Sequence, residues 1–170
     1  MKKYSLEEID LLRKYVRLTH NYQGQDDTEE VVRTIMTSSN TMKELLKETK
    51  KILKAKEKEL EDERKLLREH YKGHVKLSYR YVHTDCYGGE DEEKEEYDFV
   101  EYNNLDEEKL RIKKDVRDDR KDWNETVKSI SWKTQKITKE DIDSRLSDYA
   151  KRKIEDLRKL SQDINKLVKK

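Results

Sequence analysis

Residues 41–72 read TMKELLKETKKILKAKEKELEDERKLLREHYK, a run without proline or glycine in which Leu46, Leu53, Leu60 and Leu67 stand seven apart. Val32, Ile35, Ser39 and Met42 lead into the same alternation of three- and four-residue steps, with Thr49, Lys56 and Glu63 between the leucines. That is the phase of a coiled coil, in which polar positions such as Lys56 and Glu63 trade stability for register or partner choice. At 1.5 Å per residue the run reaches about 48 Å, longer than a compact core can cover, so it requires a partner helix. Thr41 with Glu44 has the spacing of a capping box, and Thr37-Ser-Ser-Asn-Thr41 is a cluster of weak helix formers. A kink or short break is therefore expected just ahead of the run.

Downstream, Ile112, Val116, Trp123, Val127, Ile130 and Ile137 fall in one seam. They predict a returning helix over 105–137, antiparallel to the first. Ser5 with Glu8 caps an N-terminal helix over 6–21 that ends before Gly24, and Asp27 with Glu30 caps a second. Thr138 with Asp141 opens a last helix over 139–170, lined by Ile142, Leu146, Ala150, Leu157, Leu160, Ile164 and Leu167. Between the long helices the period falls to two: Val75, Leu77, Tyr79 and Tyr81 alternate with Lys76, Ser78 and Arg80, and Tyr97-Asp-Phe-Val-Glu-Tyr102 follows. This is the signal of a β-hairpin, with Thr84 to Lys94 too long for a tight turn and read as a loop.

The expected fold is mainly α, a long antiparallel helical hairpin or coiled coil with additional N- and C-terminal helices and a β-hairpin insert. It is one elongated domain over 1–170: N-terminal helices in 1–40, a long helix at 41–72, an acidic Tyr-rich hairpin at 74–103, the returning helix at 105–137 and a C-terminal helix at 139–170. This helix–hairpin–helix order is similar to prefoldin-type chaperone subunits in layout alone. No residue motif carries the likeness into family membership.

Composition sets the limits of function. The apolar fraction of 32% is below the roughly 45–50% of ordinary globular chains, which argues against a thick core. Charges nearly cancel, with 40 basic and 39 acidic residues, so the low apolar content does not read as disorder. No apolar stretch exceeds two residues, and Met1-Lys-Lys-Tyr leads into Ser5-Leu-Glu-Glu rather than a signal-peptide core, so a cytoplasmic protein with no membrane partner is expected. The lone Cys86 fits a reducing compartment.

Candidate chemistry gathers around residues 70–109. His70, His74, His83 and Cys86 are the residue types that bind zinc. A strand from His74 to His83 would separate those two by some 30 Å, whereas metal–ligand bonds are near 2 Å, so no metal is expected. Cys86 sits among Asp85, Glu90 and Asp91 rather than the cations that favour a nucleophilic thiolate, and no catalytic residue is assigned. Gly88-Gly89 lacks the lysine and hydroxyl of a phosphate loop, and residues 85–96 lack the ligand alternation of a calcium loop, so no cofactor is expected.

What remains is segregated charge. Residues 85–109 hold twelve acidic and two basic side chains, a net of −10 that leaves +11 for the rest of a chain whose total is +1. Tyr71, Tyr79, Tyr81, Tyr87, Tyr97, Phe99 and Tyr102 crowd the same region, and tyrosines suit interfaces. The expected docking residues are Tyr79, Tyr81, Tyr87, Glu90, Asp91, Glu92, Glu93, Glu95, Glu96 and Tyr97. They would meet a partner protein with a basic surface. A carboxylate row that imitates phosphates would suit a phage or mobile-element inhibitor of a nucleic-acid-handling host protein, of the anti-CRISPR or anti-restriction type. Two other classes compete: a coiled-coil scaffold that self-assembles through the helical seam, and direct nucleic-acid binding by the helices that carry Lys47, Lys50, Lys51, Lys54, Lys56, Lys58, Lys151, Arg152 and Lys153.

Overall fold

The computed structural model describes residues 4–20, 25–38 and 41–169, except the side chains of Gln25 and Asp26. Along the chain run α1 (Leu6–His20), α2 (Gln25–Thr37), α3 (Met42–His70), β1 (His74–Thr84), β2 (Glu90–Glu101), a 3-10 turn (Tyr102–Asn104), α4 (Leu105–Asp122), β3 (Thr126–Lys136), α5 (Lys139–Arg145) and α6 (Asp148–Lys169). The protein is thus mixed α and β, with six helices and one three-stranded antiparallel sheet among the described residues, not a helical hairpin with a two-stranded insert. The residues divide into two compact units, one reaching Arg64 and resuming at Leu146, the other Lys65–Arg145.

Local capping rules hold where their donors and acceptors lie three residues apart. Ser5 Oγ accepts from Glu8 N at 3.2 Å while Glu8 accepts from Ser5 N at 2.8 Å, and Thr41 with Glu44 repeats the arrangement at 3.2 and 2.7 Å. Thr138 and Asp141 do the same ahead of α5. The Asp27 box is not a start: α2 begins two residues earlier, at Gln25. The chain does break where weak helix formers cluster, between Thr37 and Met42. Ser39 of the seam, Asn40 and the Gly24 stop lie outside the described residues.

In the first unit, Leu11, Leu12 and Val16 of α1, Val32 of α2, Met42, Leu45 and Leu46 of α3, and Leu160 and Ile164 of α6 form one core. Helix α3 is buried only at its start: Met42, Leu45, Leu46 and Thr49 are sealed, whereas Leu53 and Leu60 are half-buried. Glu57 of α3 accepts from Arg158 Nη2 of α6 at 2.7 Å. The helix that returns along this stretch of α3 is therefore α6, not residues 105–137.

That expected helix ends early. Helix α4 stops at Asp122, Asn124 takes φ 58°, and residues 126–136 form β3. Thr126, Val127, Ser129, Ile130, Ser131, Trp132 and Thr134 are β-branched, aromatic or backbone-competing residues, poor in helices and at home on a pleated surface. The seven-residue spacing was coincidence: Val116 is buried on α4, Trp123 is 66% exposed at its end, and Ile130 belongs to a strand. The last helix also divides, α5 ending at Arg145 and α6 starting at Asp148.

The second unit is the sheet β2-β1-β3 with α4 on one face. Leu77, Tyr79 and Tyr81 of β1 pack with Val100 of β2 and with Ile112 and Val116 of α4, flanked by Val127, Ile130 and Trp132 of β3. The β1–β2 register runs His83↔Asp91, Tyr81↔Glu93, Tyr79↔Glu95, and the β1–β3 register Tyr81↔Ile130, Tyr79↔Trp132, so β1 is central and both of its neighbours are edges.

Candidate protein-docking site on the three-stranded sheet

Strand β2 begins at Glu90, so Glu90–Lys94 belong to a strand and not to the expected loop. Acidic residues are depleted in strands, and here pairing with β1 overrides propensity. The connection is only Asp85 to Gly89. The Asp85 carboxylate accepts from Tyr87 N at 2.9 Å and Gly89 N at 2.6 Å, and Asp85 N donates to Gly89 O at 2.8 Å. Gly88 takes φ 86°, which favours glycine, and a Cβ on Gly89 would lie 2.6 Å from Asp85 Oδ2, so a side chain there would displace the carboxylate that holds this five-residue turn. Tyr87 projects from it, 94% exposed, and Cys86 beside it is exposed.

Strand alternation divides the carboxylates between two faces. Asp91, Glu93 and Glu95 share the face of Tyr79, Tyr81 and His83, on the side of α4. Glu90, Glu92 and Glu96 pair in register with Thr84, Val82 and Ser78 on the opposite face. That opposite face has a shallow depression of about 320 Å³ bounded by Ser78, Arg80, Lys94, Glu96, Ser131 and Lys133.

Most of these acids have cationic neighbours. Glu90 pairs with Lys128 of β3, Glu92 with Arg80 of β1 at 2.5 Å, Glu93 with Arg120 of α4 at 3.6 Å, and Glu96 with Lys76 of β1 at 3.6 Å. Glu95 accepts from the Tyr79 hydroxyl, and Asp98 holds Arg145 of α5, whose guanidinium lies 4.8 Å from the Phe99 ring centre. The −10 segment is thus stapled to its surroundings rather than left as bare charge.

The tyrosines divide in role. Tyr79 and Tyr81 are core, at 7% and 2% exposure. Burial, reinforced by the Glu95 carboxylate, raises the Tyr79 hydroxyl far above its ordinary range; burial also raises Tyr81, opposed by Arg120. Tyr97 is half-buried, with Arg111 of α4 bonded to its hydroxyl and 5.7 Å over its ring. Tyr87 alone of the four expected anchors is freely exposed.

A clasp that the sequence reading missed closes the α4 side. Arg120 donates to the Tyr81 hydroxyl at 2.5 and 3.1 Å and to Glu125 at 3.0 Å. Glu125 Oε2 is also 2.9 Å from Nδ1 of His83, although neither nitrogen of this 3%-exposed ring completes a directional hydrogen bond. The signal was present: Ile112, Val116 and Arg120 lie four apart on one helix stripe. His70 and His74 stack at 5.8 Å between ring centres, well away in the chain order of the sheet from His83, and among the described residues no group of three metal-ligating side chains converges. Among the described residues no helix is long and apolar enough to cross a membrane.

The fold and site define a small mixed α/β protein with a helix-backed antiparallel sheet and one acidic edge. No protein-family model matches the chain, nor does any curated protein or solved structure.

Proposed function

We propose that this chain is a non-enzymatic protein-interaction module that docks β2 and the Tyr87 turn on a basic surface of another protein. The observation that carries the reading is the exposure of every residue from Glu90 to Glu96 on an edge strand. Residues two apart on a strand stand about 6.6 Å from each other, so the α4 side offers a carboxylate row of Asp91, Glu93 and Glu95, and the opposite face offers Glu90 and Glu92 with Glu96 beyond Lys94, rather than a floppy acidic loop. The stapling cations reduce the field of that row, and they also hold its geometry before a partner arrives, which lowers the ordering cost of association. A nucleic-acid-handling protein, whose groove already accepts spaced anions, is the partner class such a row fits, and blocking that groove is the inhibitor form of the function.

The test uses wild type and a variant with Glu92, Glu93, Glu95 and Glu96 changed to Gln as immobilised baits in nuclease-treated host lysate. A protein held by wild type, lost by the variant and released by added salt supports the reading. Identical captured sets refute it. Retention seen in a parallel untreated lysate but absent after nuclease treatment assigns the binding to nucleic acid on the lysine-rich helices.

A further inference from the structure

The two edges of the sheet are unlike. On β2, charge falls on both faces and the ladder with β1 is interrupted by a register shift between Lys76 and Ser78. Exposed charge and irregularity are the usual protections of a free edge. Strand β3 has less of either over its later part. From Ser129 to Lys136 it pairs with β1 residue for residue, eight positions without a bulge. Lys133 and Lys136 are the charged residues of this run, and it contains no acid and no proline. Among the described residues its strand partner is β1 alone. An edge strand directs the N–H and C=O of every second residue away from its neighbour, unpaired.

The side chains beside this edge select what fits. Ile130 and Trp132 pack against the core yet remain half-buried, because no strand covers their outer flank. A strand added there would lay alternate side chains against them on the α4 side. On the other face Lys133 is exposed beside Ser131 and Ser129, whereas Lys136, in register with Val75, ends the run on the α4 side. Lys133 would stand beside the acidic side chains of the added strand, where opposite charge stabilises a cross-strand pair and like charge opposes it, and Lys136 adds its charge at the end of the run.

We propose that the free edge of β3 over Ser129–Lys136 is a β-augmentation site for an extended partner segment that alternates apolar and acidic residues. Backbone hydrogen bonds supply the pairing, Ile130 and Trp132 receive the apolar side chains, and Lys133 on the opposite face, helped by the charge of Lys136 at the end of the run, selects acidic over basic segments. The proposal is independent of the acidic β2 edge and requires none of its residues.

Three eight-residue peptides test it on the full chain: alternating valine and glutamate, alternating valine and lysine, and the valine–glutamate peptide N-methylated at alternate residues. The acidic peptide should bind at least tenfold more tightly than the basic one. It should slow hydrogen exchange at alternate amides of Ser129–Lys136 and leave Glu90–Glu96 unchanged. The N-methylated peptide keeps the charges but lacks the donors, and should bind at least tenfold more weakly than its parent. In the Lys133→Glu, Lys136→Glu variant the preference between acidic and basic peptides should reverse. Equal binding of the acidic and basic peptides, protection on β2 instead of β3, or an N-methylated peptide as good as its parent would overturn the proposal. The wild-type arms decide it even where the double variant does not fold.

Discussion

Replacing Arg120 with Met keeps most of the aliphatic stem against α4 and the sheet while removing the guanidinium, so the loss reports the clasp rather than packing. Its side chain is 19% exposed and that of Glu125 13%, and the same guanidinium serves the 2%-exposed Tyr81. Breaking a fully buried ion pair by removing one partner costs about 3–5 kcal/mol, because the other charge is left buried and unpaired. Residual exposure lets water reach Glu125, which reduces the expected cost to about 2–3 kcal/mol. For a chain of this size that lowers the melting midpoint by roughly 5–10 °C. The assay is thermal unfolding followed by near-ultraviolet circular dichroism, which reads the packed tyrosines. A second substitution, Glu125→Gln, made in the Arg120→Met background, removes the orphaned charge and should recover about half of the loss. An Arg120→Met protein melting within about a degree of wild type, or a double variant less stable than the single one, would refute the clasp.

Leu157 is fully buried on α6, so Leu157→Ala should cost about 2–5 kcal/mol and shift the urea midpoint without changing its slope. Gly88→Ala should cost roughly 1 kcal/mol, because any side chain resists φ 86°, and the melting midpoint should fall by a few degrees with the sheet otherwise intact by circular dichroism. Tyr79 and Tyr81 both have folded-state values raised above the unfolded value of 10, so the folded protein holds those protons more tightly. Their stabilisation is fully present below pH 10 and lost as the pH climbs beyond it, and Tyr79→Phe should flatten that alkaline fall in a denaturant–pH series. Asp141 lies below its ordinary 3.8, chiefly through the Thr138 backbone N–H, so its contribution is present above that pH and lost on acidification; Asp141→Asn should make the acid limb shallower.

The features legible in the sequence were those whose causes lie within a few residues. Ser5 with Glu8, Thr41 with Glu44, and Thr138 with Asp141 cap helices because donor and acceptor are neighbours along the chain, and the alternation of Leu77, Tyr79 and Tyr81 marks β1 because strand geometry alone imposes period two. The Leu46–Leu67 spacing correctly marked a long helix, yet said nothing about which downstream segment would meet it. Two apolar patterns could serve, and packing selected α6, where Leu160 and Ile164 join Leu46 in one core. Residues 126–136 gave a helical spacing and a strand composition together, and pairing with β1 settled the conflict. For Glu90–Glu96 composition pointed away from a strand altogether, and only cross-strand hydrogen bonds with cations from three other elements made one. The same holds for the candidate site. Its residue types and its excess of carboxylate were written in residues 85–109, but which carboxylates share a face, which tyrosines are sealed and which cation meets each acid follow from register. Register depends on which residues meet across the strands, from Thr84 and Glu90 beside the turn to Val75 and Lys136 at the far end of β3, and local residue preference does not encode those pairings.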